Sequence, residues 1–120
     1  MAQTQPQPRA QPRVRFRAPA VITAGGVEHH YPRTGDAGMD GVFISTVRPL
    51  PLGTRGRFSI RLSAGMRREA IEGECQVARV IGVDDGLCGG EPGPGMRIEF
   101  LSLDGESAEL LRMVMAFNSP

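Results

Sequence analysis

Arginine dominates the chemistry available to this chain. All fourteen basic residues are arginine, with no lysine among them. Arg9, Arg13, Arg15 and Arg17 follow one another closely, and no acidic residue precedes Glu28. A guanidinium presents a planar fork of donors that matches phosphate oxygens and the acceptor edge of guanine. The run therefore reads in two ways, as a solvated, positively charged lead-in or as an arm that closes on an anion.

Other reactive residue types are present without the spacing that their chemistry needs. His29 and His30 are adjacent, so on a strand they point to opposite faces, and no third metal ligand follows at a useful distance. Cys75 and Cys88 match no zinc or redox spacing and read as reduced thiols. Ser45, Ser59, Ser63, Ser102, Ser107 and Ser119 sit in no nucleophile elbow, and neither a phosphate loop nor a dinucleotide fingerprint occurs. Asp84, Asp85, Glu72 and Glu74 read as loop and outward-facing strand charges. The expectation is a protein that is not an enzyme, with no metal and no cofactor. Five phenylalanines and one tyrosine, none interleaved with basic residues, offer no stacking platform for RNA.

Strands must position whatever the arginines do. Ala20–Thr23 is short and β-prone and stops at Gly25-Gly26, with Val27–Arg33 returning. Gly41–Thr46 is a strand with Val42 and Ile44 on one face and Phe43 on the other. Pro49–Gly53 breaks the ladder. In Arg57–Leu62, Phe58, Ile60 and Leu62 alternate with Arg57, Ser59 and Arg61. Ala70–Val83 and Met96–Phe100 complete six runs, separated by a Gly-rich loop over Asp84–Pro94. The period then changes. Leu110, Leu111, Val114, Met115 and Phe117 recur at helical spacing after Asp104, a candidate N-cap. A helix of about three turns is expected to lid one end of a small barrel.

Composition agrees. A chain of 120 residues, 40% of them apolar, suits one modest core. Sixteen glycines and ten prolines favour short elements joined by turns. Residues 1–12 are Gln/Pro-rich and read as a disordered tail. A net charge of +1 excludes binding of nucleic acid or membrane driven by the whole-molecule field. Without an apolar run of membrane-spanning length or a signal-peptide core, the expected place is the cytoplasm, with no membrane insertion.

Two segments together resemble the PilZ domain family, receptors for the bacterial second messenger cyclic di-GMP. Arg13-Val14-Arg15-Phe16-Arg17 matches the family's Arg-x-x-x-Arg at Arg13 and Arg17, with a proline-containing strand after it. Asp36-Ala37-Gly38-Met39-Asp40-Gly41 aligns with Asp/Asn-x-Ser-x-x-Gly and runs directly into an apolar strand. The Pro-Leu-Pro-Leu-Gly stretch, the strand through Met96-Arg97-Ile98-Glu99-Phe100 and the terminal helix also fit, so the resemblance covers residues 13–117. It implies a mainly β fold, a six-stranded antiparallel PilZ-like β-barrel with a C-terminal α-helix. It implies Arg13, Arg17, Asp36, Gly38 and Gly41 as the cyclic di-GMP-binding residues. Arginine forks suit the two phosphates and guanine O6 and N7, a carboxylate accepts from guanine N1 and N2, and a glycine lets backbone approach the ligand.

Two positions depart from the pattern. Gly38 replaces the serine and removes its hydroxyl, and Asp40 stands where the family usually has glycine. One lost hydrogen bond costs about 0.5–1.5 kcal/mol, and a like charge near phosphate costs a similar amount. Two functions remain open. In one, the chain is a cyclic di-GMP receptor with a degenerate site. In the other, it is an adaptor that has lost the ligand and works through protein contacts. The resemblance implies motility, pilus or exopolysaccharide output in either case. A chain of this length is expected to signal through a surface to an unidentified protein partner, as a monomer or weak dimer.

Overall fold

The computed structural model describes residues 12–64, 67–83 and 93–118. The Gln/Pro-rich tail, apart from Pro12, and most of the Gly-rich loop with Cys88 lie outside the described residues. The strands are β1 (Val14–Arg15), β2 (Ala20–Ala24), β3 (Val27–Tyr31), β4 (Thr34–Gly38), β5 (Gly41–Ser45), β6 (Arg55–Ala64), β7 (Arg67–Ile81) and β8 (Gly95–Leu103), followed by α1 (Ser107–Asn118). They form one antiparallel sheet in the order β1-β4-β5-β8-β7-β6-β2-β3.

This order closes the sheet into a barrel because β1 and β2 are two halves of one bent segment. The first half pairs with β4, Val14 opposite Ala37 and Arg15 opposite Asp36. The second half pairs with β6, Ala20 opposite Ile60 and Ile22 opposite Phe58. Between them, Phe16 N–H donates to Gly35 O (3.1 Å), Thr34 N–H donates to Ala18 O (2.9 Å), and Arg61 N–H donates to Pro19 O (3.0 Å). Pro19 has no N–H to give the ladder, so the chain changes partners there. Thr34 fastens the crossing. Its buried hydroxyl donates to Phe16 O and accepts from Ala18 N–H.

Eight strands stand where alternation predicts six. One addition is β1, Val14–Arg15, inside the arginine run and too short to show alternation; the other is Thr34-Gly35-Asp36-Ala37-Gly38, which carries too much glycine and too little alternation to read as a strand. Pairing on both sides makes it one. Elsewhere the pattern holds: Phe58 and Ile60 point inward from β6, and Gly25 and Gly26 make the β2–β3 turn with φ of 60° and 80°. β7 bends through register shifts against β8 at Glu74/Cys75 and Val77/Arg79, irregularities that increase twist and let a long strand wrap.

The core joins Ile22, Val42, Ile44, Phe58, Ile60, Ile71, Val77, Met96 and Ile98 of the barrel with Leu111 and Val114 of α1. Phe58 stacks on Phe100 with centroids 4.7 Å apart. The start of α1 is tied to β7, because Asp104 N–H donates to Glu72 O and Ser107 Oγ accepts from Glu72 N–H. Asp104 lies three residues ahead of α1, and its carboxylate pairs with Arg57, so it does not serve as the N-cap. Phe117, expected in the buried stripe, is 89% exposed, because α1 rotates Leu111 and Val114 onto the barrel and carries its last turn past the core.

Candidate functional site

Extended backbone from Arg13 to Ala18 sends alternate side chains to opposite faces. Val14 and Ala18 enter the core. Arg13, Arg15 and Arg17 share the outer face, and there they line a cavity of about 500 Å³. The register places Asp36 of β4 opposite Arg15. Phe43 and Ser45 of β5 and Arg33 from the β3–β4 connection complete the walls.

A large aromatic on the outer face of a strand is ordinarily exposed, yet Phe43 is 1% exposed. Two glycines make room for it. A side chain at Gly35 would start 3.2 Å from Phe43 Cδ2, and one at Gly95 would start 2.6 Å from Phe43 Cζ. The ring therefore lies against the sheet and gives the cavity an apolar base beneath its arginines.

Arg13 is already engaged. Its Nη2 and Nε donate to Asp36 Oδ1 at 2.7 and 3.2 Å, and its Nη1 reaches Asp40 Oδ1 at 3.4 Å. Both shorter contacts fall on one oxygen of Asp36. Arg15, Arg17 and Arg33 have no ion-pair partner among the described residues. Four guanidinium groups thus face one cavity-lining carboxylate.

Of the residues that the sequence singles out, Arg13, Arg17 and Asp36 meet in this cavity, whereas Gly38 and Gly41 do not line it. Gly38 ends β4 beneath the Arg13 side chain. A Cβ there would lie 3.0 Å from Pro12 O, 3.1 Å from Asp40 Oδ1 and 3.2 Å from Arg13 Nη1. Gly41 faces β8, and its Cβ would come within 2.1 Å of Ile98 O. Close approach of two strands requires glycine there. Sequence reasoning placed Arg15 in the arginine arm but not among the ligand-binding residues, and it missed Arg33 altogether. Spacing of two from both Arg13 and Arg17 was a signal for Arg15. Nothing local signals Arg33.

The remaining candidates lie apart. His30 Nε2 and Glu28 Oε1 are 3.0 Å apart on the exposed face of β3. Cys75 is buried in the core, and desolvation pushes its thiol up to about 11, which keeps it protonated and unreactive. Among the described residues no cluster of His, Cys, Asp and Glu could hold a metal ion, and no helix is long and apolar enough to cross a membrane.

Comparison with known proteins matches residues 7–116 to the model of the PilZ domain. No curated protein matches the chain. Among solved structures, the fold is similar to that of the Bacillus subtilis inhibitor of motility (MotI/DgrA), with a TM-score of 0.69 at 17% identity over 95% of this chain. This chain spans about half, 52%, of that protein. It is also similar to the PilZ domain with c-di-GMP of YcgR from Escherichia coli, with a TM-score of 0.64, 14% identity, 93% of this chain and 92% of that one.

Proposed function

The chain belongs to the PilZ domain family, and on that premise we propose that it is a cytoplasmic regulatory protein, not an enzyme, that takes cyclic di-GMP in the arginine-lined cavity and passes the signal to a protein partner in motility, pilus or exopolysaccharide output. The observation that carries this reading is the convergence of Arg13, Arg15, Arg17 and Arg33 on one cavity beside Asp36. Phosphate oxygens would meet the arginine forks. Asp36 uses Oδ1 for Arg13, which leaves Oδ2 to accept from guanine N1 or N2. The similarity to an inhibitor of motility and to a PilZ domain with c-di-GMP supports the choice of ligand class and output.

A second reading, the ligand-independent adaptor, draws on the engagement of Arg13 by two carboxylates. Arg13 already holds internal anions, and Gly38 offers no hydroxyl. Calorimetric titration of the purified protein with cyclic di-GMP, alongside Arg17→Ala, separates the two. Saturable binding that Arg17→Ala weakens at least tenfold supports the receptor. A well-folded wild-type protein that gives no heat at high ligand concentration supports the adaptor. In that case Arg17→Ala leaves cellular function intact.

A further inference from the structure

We propose that Arg33, which lies outside the recognised motif, is an anion-contacting residue of the cavity and supplies its ligand with a phosphate contact from the β3–β4 connection, beside the arginine arm. The inference deepens the ligand-binding reading and rests on it for the identity of the ligand, though not for the anionic chemistry.

Placement comes first. Arg33 sits between the end of β3 at Tyr31 and the start of β4 at Thr34. Thr34 is tied to the first strand by its N–H on Ala18 O and by its hydroxyl on Phe16 O. The backbone beside Arg33 is therefore held, and Arg33 lines the cavity from a fixed point. Arg13, Arg15 and Arg17 come from β1 and the residues that flank it, so Arg33 adds a second origin to the arginines around the cavity.

Charge comes second. Arg13 already holds Asp36 and Asp40, so an incoming anion gains its donors mainly from Arg15, Arg17 and Arg33, which have no ion-pair partner among the described residues. Three uncompensated like charges around one cavity repel one another and give the unliganded fold nothing in return. Arg33 is exposed, and its side chain makes no hydrogen bond among the described residues. A residue that raises the energy of the empty site and lowers that of the anion-filled one is expected at a binding position, because function is commonly retained against stability.

The test compares the wild-type chain with Arg33→Ala and with Arg48→Ala, an exposed arginine that does not line the cavity. Each is titrated with cyclic di-GMP and, separately, with inorganic pyrophosphate, and each is melted without ligand. Arg33→Ala is expected to bind roughly tenfold to a hundredfold more weakly, as loss of a charge-assisted contact implies, with an unchanged or higher Tm. Arg48→Ala is expected to stay within about twofold of the wild type. If only pyrophosphate binds and Arg33→Ala weakens it, the role of Arg33 stands and the second-messenger reading falls. The proposal is overturned if Arg33→Ala binds as tightly as the wild type, if Arg48→Ala loses as much affinity, or if the wild type binds neither probe.

Discussion

Asp40 offers the sharpest perturbation, because it stands where the family usually has glycine and touches the first arginine of the motif. Asp40→Asn removes the charge and keeps a side chain in the β4–β5 turn, and Asp40→Gly restores the family residue. The pair with Arg13 spans 3.4 Å, with side-chain exposures of 19% for Arg13 and 56% for Asp40. A pair this wet contributes about 0.2–1 kcal/mol, so either variant loses at most about 1 kcal/mol of stability. For ligand binding the same interaction has the opposite sign, since Arg13 must leave Asp40 to face a phosphate fully. A carboxylate about 8 Å from a phosphate adds roughly 0.5 kcal/mol of repulsion in water and about 2 kcal/mol at an effective dielectric of 20. Release and repulsion together come to about 0.7–3 kcal/mol, or roughly threefold to a hundredfold tighter binding of cyclic di-GMP.

Gly38→Ser makes this a double-mutant cycle. The φ at Gly38 is outside the left-handed region, so serine meets no backbone strain there. It does meet Pro12 O at 3.0 Å, Asp40 Oδ1 at 3.1 Å and Arg13 Nη1 at 3.2 Å. Serine alone is therefore expected to push Arg13 aside and to gain less than the threefold to tenfold that a new hydroxyl hydrogen bond offers. With Asp40→Gly the contact with Oδ1 goes and the crowding eases in part, and the pair should couple by more than about 0.5 kcal/mol. Calorimetry on the four proteins at low and high salt measures this, and the Asp40 gain should shrink as salt screens it. Asp40→Asn binding no more tightly than the wild type, or strict additivity in the cycle, would refute the reasoning.

Three further predictions concern the scaffold. Thr34→Val leaves Ala18 N–H and Phe16 O without their buried partner and is expected to cost about 1–3 kcal/mol, read as a lower midpoint in denaturant together with weaker ligand binding; an unchanged midpoint would count against the staple. Gly41→Ala drives a Cβ to within 2.1 Å of Ile98 O and should cost at least about 1–3 kcal/mol as overpacking; a variant as stable as the wild type would show that β8 can retreat. In a Cys88→Ser background, Cys75 should resist iodoacetamide at pH 8 until denaturant is added. Its thiol is raised from 9.0 to about 11, so its contribution to stability is full below about pH 9 and declines as pH rises to about 11; rapid native-state labelling would contradict that burial.

Much of the barrel is legible because its strands alternate. Arg57–Leu62 buries Phe58 and Ile60 and exposes Arg57 and Arg61, as a half-buried strand must. Gly25-Gly26 announces its turn, and Leu111 with Val114 announces the seated face of α1. What fails to announce itself is held by context. Thr34–Gly38 is a strand only because β5 and β1 pair with it, and no local preference of Gly35 or Asp36 requires that. Phe117 satisfies the helical period but lies beyond the reach of the barrel, and periodicity carries no information about where a partner surface ends.

The site divides in the same way. Arg13, Arg17 and Asp36 are found through the resemblance to the family's two motifs, and two residues per side-chain repeat put both arginines on one face. Arg33 joins them only after the β3–β4 connection folds over, and Phe43 forms the base only because Gly35 and Gly95 leave it room. The two departures from the motif look independent in sequence and are one arrangement in space. Without a side chain at position 38, Arg13 can lie across β4 and reach Asp40 while holding Asp36. A serine there would occupy the path of the guanidinium, and a glycine at 40 would leave Nη1 without its second carboxylate. Gly38 and Asp40 therefore favour the same state of Arg13, turned toward the protein's own carboxylates. On the proposed receptor reading, Arg15, Arg17 and Arg33, which have no ion-pair partner among the described residues, would take the anion while Arg13 stays with the protein's own carboxylates.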